Sequence, residues 1–279
     1  MDLGIPGHRI YAYTGGKAFD SSLPCVVFIH GAQHDHSVWI LQSRYLAHHG
    51  HAVLALDLPG HGRSDGPVAS SVEAAAERVA AALAPLSCPR LLLAGHSMGS
   101  LIALEVARRL PSRVAGVALL GTAAPMRVSD ALLAATRDDP AAAMDMINVW
   151  SHSPVMAPFA VRPGCPAPGF NIVWQNLRLM QRIAAVNGAD VLPTDFAACN
   201  AYEGALDAVR ALQCPALFVS GARDQMTPGK AAQSLIGACT QPQMVTLPAT
   251  GHAMMAENPD GVRTALAKFA RQVFAGVAA

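Results

Sequence analysis

Leu91-Leu92-Leu93-Ala94-Gly95-His96-Ser97-Met98-Gly99 is the stretch on which the reading of this 279-residue chain turns. Its first four residues form an apolar run of strand length, and Leu101, Ile102, Leu104, Val106 and Leu110 beyond it recur at helical spacing. Between them stands a G-x-S-x-G turn. A serine at such a strand-to-helix junction projects its hydroxyl above the sheet edge, and glycine is needed around it because side chains there would strike the adjoining strand and helix. The helix that follows points its N-terminus at the site and so favours developing negative charge. Ser97 is the candidate nucleophile.

Working outward, apolar runs at 25–29, 52–56, 114–120, 216–220 and 243–247 join 91–94 as candidate strands. Their lack of polar alternation suits a parallel sheet covered on both faces. Helical patterns separate them. Ser70 and Glu73 read as a capping box ahead of Val72, Ala76, Val79 and Leu83, and Asn258-Pro259 opens a last helix carrying Val262, Leu266, Phe269 and Val273. This rhythm predicts an α/β fold. It breaks over 123–206, which is rich in proline and shows helical patterns at 130–137, 141–150, 170–186 and 195–204. The expected organisation is a core from 1–122 and 207–279 with a helical lid at 123–206.

A serine hydroxyl is a poor nucleophile at neutral pH and needs an oriented base. On a sheet of this kind the order is serine, acid, histidine. Downstream of Ser97, the 216–220 run ends in Gly221-Ala222-Arg223-Asp224, and the last run leads into Thr250-Gly251-His252. Both follow strands and so emerge at the carboxyl edge, where open α/β sheets bind ligands. Asp224 alone reads equally well as a turn former or helix cap, and His252 alone as a surface histidine. Their order after Ser97 favours a triad of Ser97, Asp224 and His252. The oxyanion of the intermediate needs donors; the backbone N–H of Met98 and that of Ala32, in His30-Gly31-Ala32-Gln33, are the candidates.

Composition narrows the alternatives. The chain is 52% hydrophobic and 14% charged, with 20 Lys and Arg against 19 Asp and Glu. That balance excludes a disordered tail and offers no basic footprint for nucleic acid or an anionic membrane. No apolar run reaches the ~18–20 residues that cross a bilayer. The six cysteines are scattered without a C-x-x-C pair, and MDLGIPGHRI lacks the pattern of an export signal, so a cytoplasmic protein with reduced thiols is expected. Histidines crowd residues 1–61, but His30-Gly31-Ala32-Gln33-His34-Asp35-His36 places alanine where H-x-H-x-D-H needs a ligand, and neither H-E-x-x-H nor a phosphate-binding glycine motif occurs. Neither a metal nor a cofactor is expected.

VVFIHG, LDLPGHGRSDG, LLLAGHSMG, FVSGARDQMTP and LPATGHAMMAENP together resemble the α/β-hydrolase family, over about residues 24–122 and 207–272. The resemblance implies a mostly parallel eight-stranded sheet flanked by helices, a helical cap inserted after the sixth strand, and Ser97–His252–Asp224 as the triad of the serine-nucleophile branch. The family's other position for the acid, after the sixth strand, holds no carboxylate in Gly121-Thr122-Ala123-Ala124.

The lid is crowded with Met144, Met146, Trp150, Met156, Phe159, Phe170, Trp174 and Met180. Most should pack the lid itself; Trp150, Met156, Trp174 and Met180 are the candidates to line an apolar substrate pocket. The expected function is hydrolysis of a carboxylic ester of a small to medium apolar substrate. Alternatives are a C–C bond hydrolase of dienones, although its usual Trp after the histidine is Ala253 here, and a monoacylglycerol lipase, lactonase, thioesterase or perhydrolase. A small-molecule receptor on the same fold is the non-enzymatic alternative. Small apolar acyl compounds are the expected partners, with no nucleic acid and no stable membrane insertion; a homodimer is allowed.

Overall fold

The computed structural model describes residues 1–153 and 168–275. Eight strands form one sheet: β1 (Asp2–Ile5), β2 (His8–Tyr13), β3 (Cys25–Ile29), β4 (Ala52–Leu56), β5 (Leu91–His96), β6 (Val114–Leu120), β7 (Ala216–Gly221) and β8 (Pro242–Leu247). Their order is β1-β2-β4-β3-β5-β6-β7-β8. The hairpin β1–β2 is antiparallel and pairs antiparallel to β4; from β4 to β8 every pairing is parallel. The carboxyl ends of β5, β7 and β8 therefore share one edge.

The helices are α1 (Ile40–Ala47), α2 (Val72–Leu83), α3 (Met98–Arg109), α4 (Asp130–Asp138), α5 (Pro140–Ser151), α6 (Pro168–Asn187), α7 (Val191–Ala201), α8 (Ala205–Arg210), α9 (Gln233–Ala238), α10 (Met254–Glu257) and α11 (Pro259–Phe274). The strand period of two divides the core between both faces. Cys25, Val27 and Ile29 pack with Val72, Val79 and Leu83 of α2 and Leu101 and Leu104 of α3. Val26 and Phe28 face the other way, onto Trp39, Leu46 of α1 and Val262, Leu266 and Phe269 of α11. Truncating a ring as buried as Phe28, at 0% exposure, to alanine costs about 3–5 kcal/mol.

Three local expectations need correction. The cap of α2 is Ser71, which accepts from the amide of Ala74, so Glu73 stands one position too early to close a box with the observed cap. Strand β8 is not buried throughout but alternates inward and outward, with Met244 65% exposed, because it is the sheet's last strand. The hairpin of β1 and β2 was not among the apolar runs, since HRIYAY buries only Ile10 and Ala12.

Helices α4 to α8 intervene between β6 and β7. Ser129 caps α4 by accepting from Leu132 N; Asp139 caps α5 by accepting from Ala142 N, with Pro140 opening the helix. Leu132, Ala143, Met144, Ile147, Met180, Leu192 and Phe196 make a cluster of their own. Cys199, Tyr202, Ala208 and Val209 instead join the sheet core, where Tyr202 donates to the buried carboxylate of Glu105 on α3. Among the described residues five cysteines are free and buried, and no helix is long and apolar enough to cross a membrane.

Candidate active site

Ser97 stands between β5 and α3 with φ +52° and ψ −123°, a left-handed conformation that an L-residue adopts only under constraint. The surroundings impose it. Ser97 N donates to Leu120 O of β6 (2.9 Å), and Ser97 O accepts from Ser100 N (2.8 Å) and Ser100 Oγ (2.6 Å). A Cβ at Gly95 would collide with the backbone of Gly99, and one at Gly99 with the carbonyls of Ile29 and His30. The strain of such a turn is of order 1–3 kcal/mol, held by the packing around it.

Asp224 follows β7, where it closes a turn and also contacts His252. Its Oδ1 accepts from the amides of Met226 (2.9 Å) and Thr227 (2.8 Å), closing the turn, while Oδ2 accepts from His252 Nδ1 (2.8 Å) and Thr227 Oγ1 (2.8 Å). Burial works against the charge, but the imidazole of His252 and the Thr227 donors outweigh it and hold the carboxyl down at about 2. Acceptance by Asp224 fixes the proton of His252 on Nδ1, leaving the Nε2 lone pair free. Gly121, with φ +57° at the end of β6, lies against this ring: a Cβ there would stand 3.0 Å from Nδ1 and Cε1.

The structure brings Ser97 and His252 to the wall of one cavity of about 340 Å³. Among the described residues neither Ser97 Oγ nor His252 Nε2 has a hydrogen-bond partner. Ala32 lines the same cavity. Met98 is the first residue of α3, so its amide lacks a helical acceptor, while its side chain turns away into the core.

Of the lid candidates, Trp150 lines this cavity. Trp174 does not: it is 52% exposed, with Arg178 over its ring, and borders a separate cleft. Met180 is wholly buried in the cluster it forms with Leu132, Ile147, Leu192 and Phe196. Trp174 and Met180 both belong to α6, which supplies none of the described residues that line the cavity. Met156 lies outside the described residues. The apolar wall is made instead by Met126, Val128, Leu132, Ile147 and Phe196.

Two residues of the site escaped the sequence reading. Thr227, three residues after Asp224, bridges the acid and the histidine, its Oγ1 lying 3.1 Å from His252 Nδ1. His96 is buried beside Ser97, donates from Nε2 to the carbonyl of His252 (2.9 Å), and is held neutral by burial and by the nearby His252. Its place inside G-x-S-x-G was the available signal. Asp35, His36 and Asp57 bring ligand-type atoms within 4.8 Å of one another, but their carboxylates are occupied: Asp57 accepts from His36 and from Arg63 N, Asp35 from Ser37 and Arg182.

The model of the alpha/beta hydrolase family matches residues 26–265. A putative non-heme haloperoxidase of Mycobacterium phage D29 is 39% identical over 100 residues, 36% of each chain. A non-heme chloroperoxidase of Streptomyces lividans is 29% identical over 262 residues, 88% of this chain and 91% of its own. Against the first of the curated relatives, the phage protein and the acetyltransferase components of acetoin cleaving systems, the match spans only about a quarter to a third of their length. The fold is shared with the enol-lactonase from Burkholderia xenovorans LB400 (TM-score 0.80, 20% identity, 96% of this chain and 99% of that one). It is shared too with an esterase from Exiguobacterium antarcticum (TM-score 0.80, 19% identity, 96% and 97%). With the family model matched from β3 through β8 and the helices between them, most of its length, the chain belongs to the alpha/beta hydrolase family.

Proposed function

We propose that this chain is a serine hydrolase that cleaves a carboxylic ester of a small to medium apolar molecule. The observation that carries the reading is that a strained Ser97 and an Asp224-oriented His252 line one cavity. Ser97 Oγ attacks the ester carbonyl carbon while His252 Nε2 takes the hydroxyl proton. Asp224 stays ionised and steadies the imidazolium; the amides of Ala32 and Met98 donate to the oxyanion. Collapse breaks the acyl C–O bond, and His252 protonates the departing alcohol. Water then adds to the acyl-enzyme, giving its proton to Nε2, and the second collapse returns a proton to Ser97 Oγ as the acid leaves.

The substrate class follows from the wall. Its volume lies at the small end of the ~300–1,000 Å³ usual for small-molecule sites. Met126, Val128, Leu132, Ile147, Trp150 and Phe196 offer apolar contact. Neither a metal nor a cofactor enters the scheme, and a reducing cytoplasm suits the buried free cysteines. The test is turnover of a nitrophenyl ester series by the wild type and Ser97→Ala: near-complete loss in a folded variant is expected, and retained turnover refutes the triad.

One second reading has its own support, the match along most of its length to a non-heme chloroperoxidase. In it hydrogen peroxide replaces water at the acyl-enzyme and a peracid leaves. Bromide oxidation that depends on both peroxide and a carboxylic acid, and disappears in Ser97→Ala, would establish it.

A further inference from the structure

Ala32 sits between two peptide planes, and the structure pins both. The plane on its N-terminal side is fixed at the Gly31 carbonyl, which accepts from His30 Nδ1 (2.8 Å). Because a peptide unit is rigid, holding that oxygen aims the Ala32 N–H on the opposite side of the same plane. His30 can donate there because its Nε2 is already an acceptor, taking the amide of Leu58 at 3.0 Å. The plane on the C-terminal side is fixed at the Gln33 N–H, which donates to Asp195 Oδ2 (2.8 Å). Gln33 has φ +56° without being glycine, a conformation that relaxes unless held; its side chain is held too, by donation to Met180 O of α6 (2.9 Å).

Asp195 comes from α7 and is 2% exposed. The same Oδ2 receives a second bond, from His61 Nε2 at 2.9 Å. His61 Nδ1 faces Pro59 O (3.1 Å). Both ring nitrogens of His61 thus face atoms that only accept, and the ring that satisfies both is the imidazolium. Burial opposes that charge; the charge and hydrogen bond of Asp195, with Pro59 O and Asp57 adding to them, prevail and raise its pKa. His30 is the other titratable ring against it, at 5.0 Å between centroids. A charged, buried pair is a stiff anchor: losing one partner strands the other.

We propose that Asp195 is a positioning residue for the oxyanion hole, a carboxylate from the lid helix that, seated on His61, fixes the peptide beyond Ala32 and so aims the Ala32 N–H at the cavity. It touches no reacting atom and is not among the residues lining the cavity. The inference rests on the ester-hydrolase reading and gives the lid a part in aligning the catalytic machinery as well as in walling the pocket.

The experiment compares Asp195→Ala and Asp195→Asn with the wild type on one nitrophenyl ester. Asparagine keeps an oxygen for Gln33 N–H but no charge. For Asp195→Ala, kcat should fall about tenfold to a hundredfold, the range for a displaced oxyanion donor, with KM within about threefold. Asp195→Asn should lie between. Affinity for a trifluoromethyl ketone, whose oxygen takes the oxyanion place, should weaken in step with kcat/KM, while inhibition by the product alcohol stays put. Amide exchange at Gln33 should quicken in both variants. A folded Asp195→Ala enzyme with wild-type kcat overturns the proposal. If that variant does not fold, Asp195→Asn with unchanged kcat and unchanged Gln33 exchange overturns it. A wild type without ester turnover would instead sink the ester-hydrolase reading, while Gln33 exchange would still test the clamp.

Discussion

His96 Nε2 donates to the backbone carbonyl of His252 across 2.9 Å, so the residue just before the elbow serine holds the loop that carries the imidazole. The two rings lie 4.6 Å apart between centroids. Ser97 and His252, the proposed nucleophile and base, are thereby referenced to one another by a bond that neither Ser97 Oγ nor His252 Nε2 makes. Replacing His96 with alanine should lower kcat about tenfold, by letting the imidazole drift, with KM nearly unchanged. Steady-state ester kinetics check this, and equal losses in kcat and kcat/KM are the expected pattern.

Thr227 offers a second handle on the proposed base, His252. Its hydroxyl donates to Asp224 Oδ2, the oxygen that orients His252. Thr227→Val keeps the shape and removes the donor, at a cost of about 1.5–3 kcal/mol for a hydrogen bond to a charged group. Urea unfolding should show that loss, and kcat should fall several-fold as the histidine gains freedom to rotate.

The glycines of the elbow are tested by stability rather than rate. Gly95→Ala would drive a methyl into the backbone of Gly99, which cannot move without shifting α3. We expect a destabilisation of about 3 kcal/mol or more. Gly237→Ala, where nothing stands within 4 Å of the added carbon, serves as the control. A Gly95→Ala protein with the wild-type midpoint would mean that the turn is looser than its packing indicates.

How much of this was legible in the sequence depended on range. The elbow was legible because its glycines, its apolar strand and its helix are contiguous, and the order of Asp224 and His252 followed once each was read as the end of a strand. The cap on α2 was misplaced by one residue because Ser70 and Ser71 are both good caps, and only the position of the first helical turn separates them. Trp174 and Met180 stand away from the Ser97 cavity, a placement the sequence does not reveal because helical spacing shows that α6 has an apolar stripe, not which neighbour the stripe meets. The Asp195–His61 pair joins residues 134 positions apart, and a lone aspartate in a helix pattern carries no sign of such a partner.

The placement of the two tryptophans yields a contrast. Trp150 lines the cavity of Ser97, whereas Trp174 stands half exposed beside another cleft. Trp150→Ala should enlarge the cavity and shift the preferred acyl chain to greater length, changing kcat/KM ratios across an acetate-to-octanoate series by about tenfold or more, since each methylene buried is worth about 0.8 kcal/mol. Trp174→Ala should leave that profile flat relative to the wild type. The reverse result would place the acyl group in the second cleft.

Acid stability gives the last test, and its sign follows from Asp224. The carboxyl is held at about 2, below its ordinary 3.8. A group depressed in the folded state adds stability that is whole above its unfolded pKa and disappears as pH falls through the folded value. For Asp224 that window runs from about pH 4 down to about pH 2, and the stake is about 2 kcal/mol. Asp224→Asn cannot titrate. The difference in unfolding free energy between wild type and Asp224→Asn, from urea melts, should therefore stay level from pH 7 to 5. It should then move against the wild type by about 2 kcal/mol on approach to pH 2. A difference independent of pH would show that the carboxylate gains nothing from His252 and Thr227, and with it the orientation argued for the base would fail.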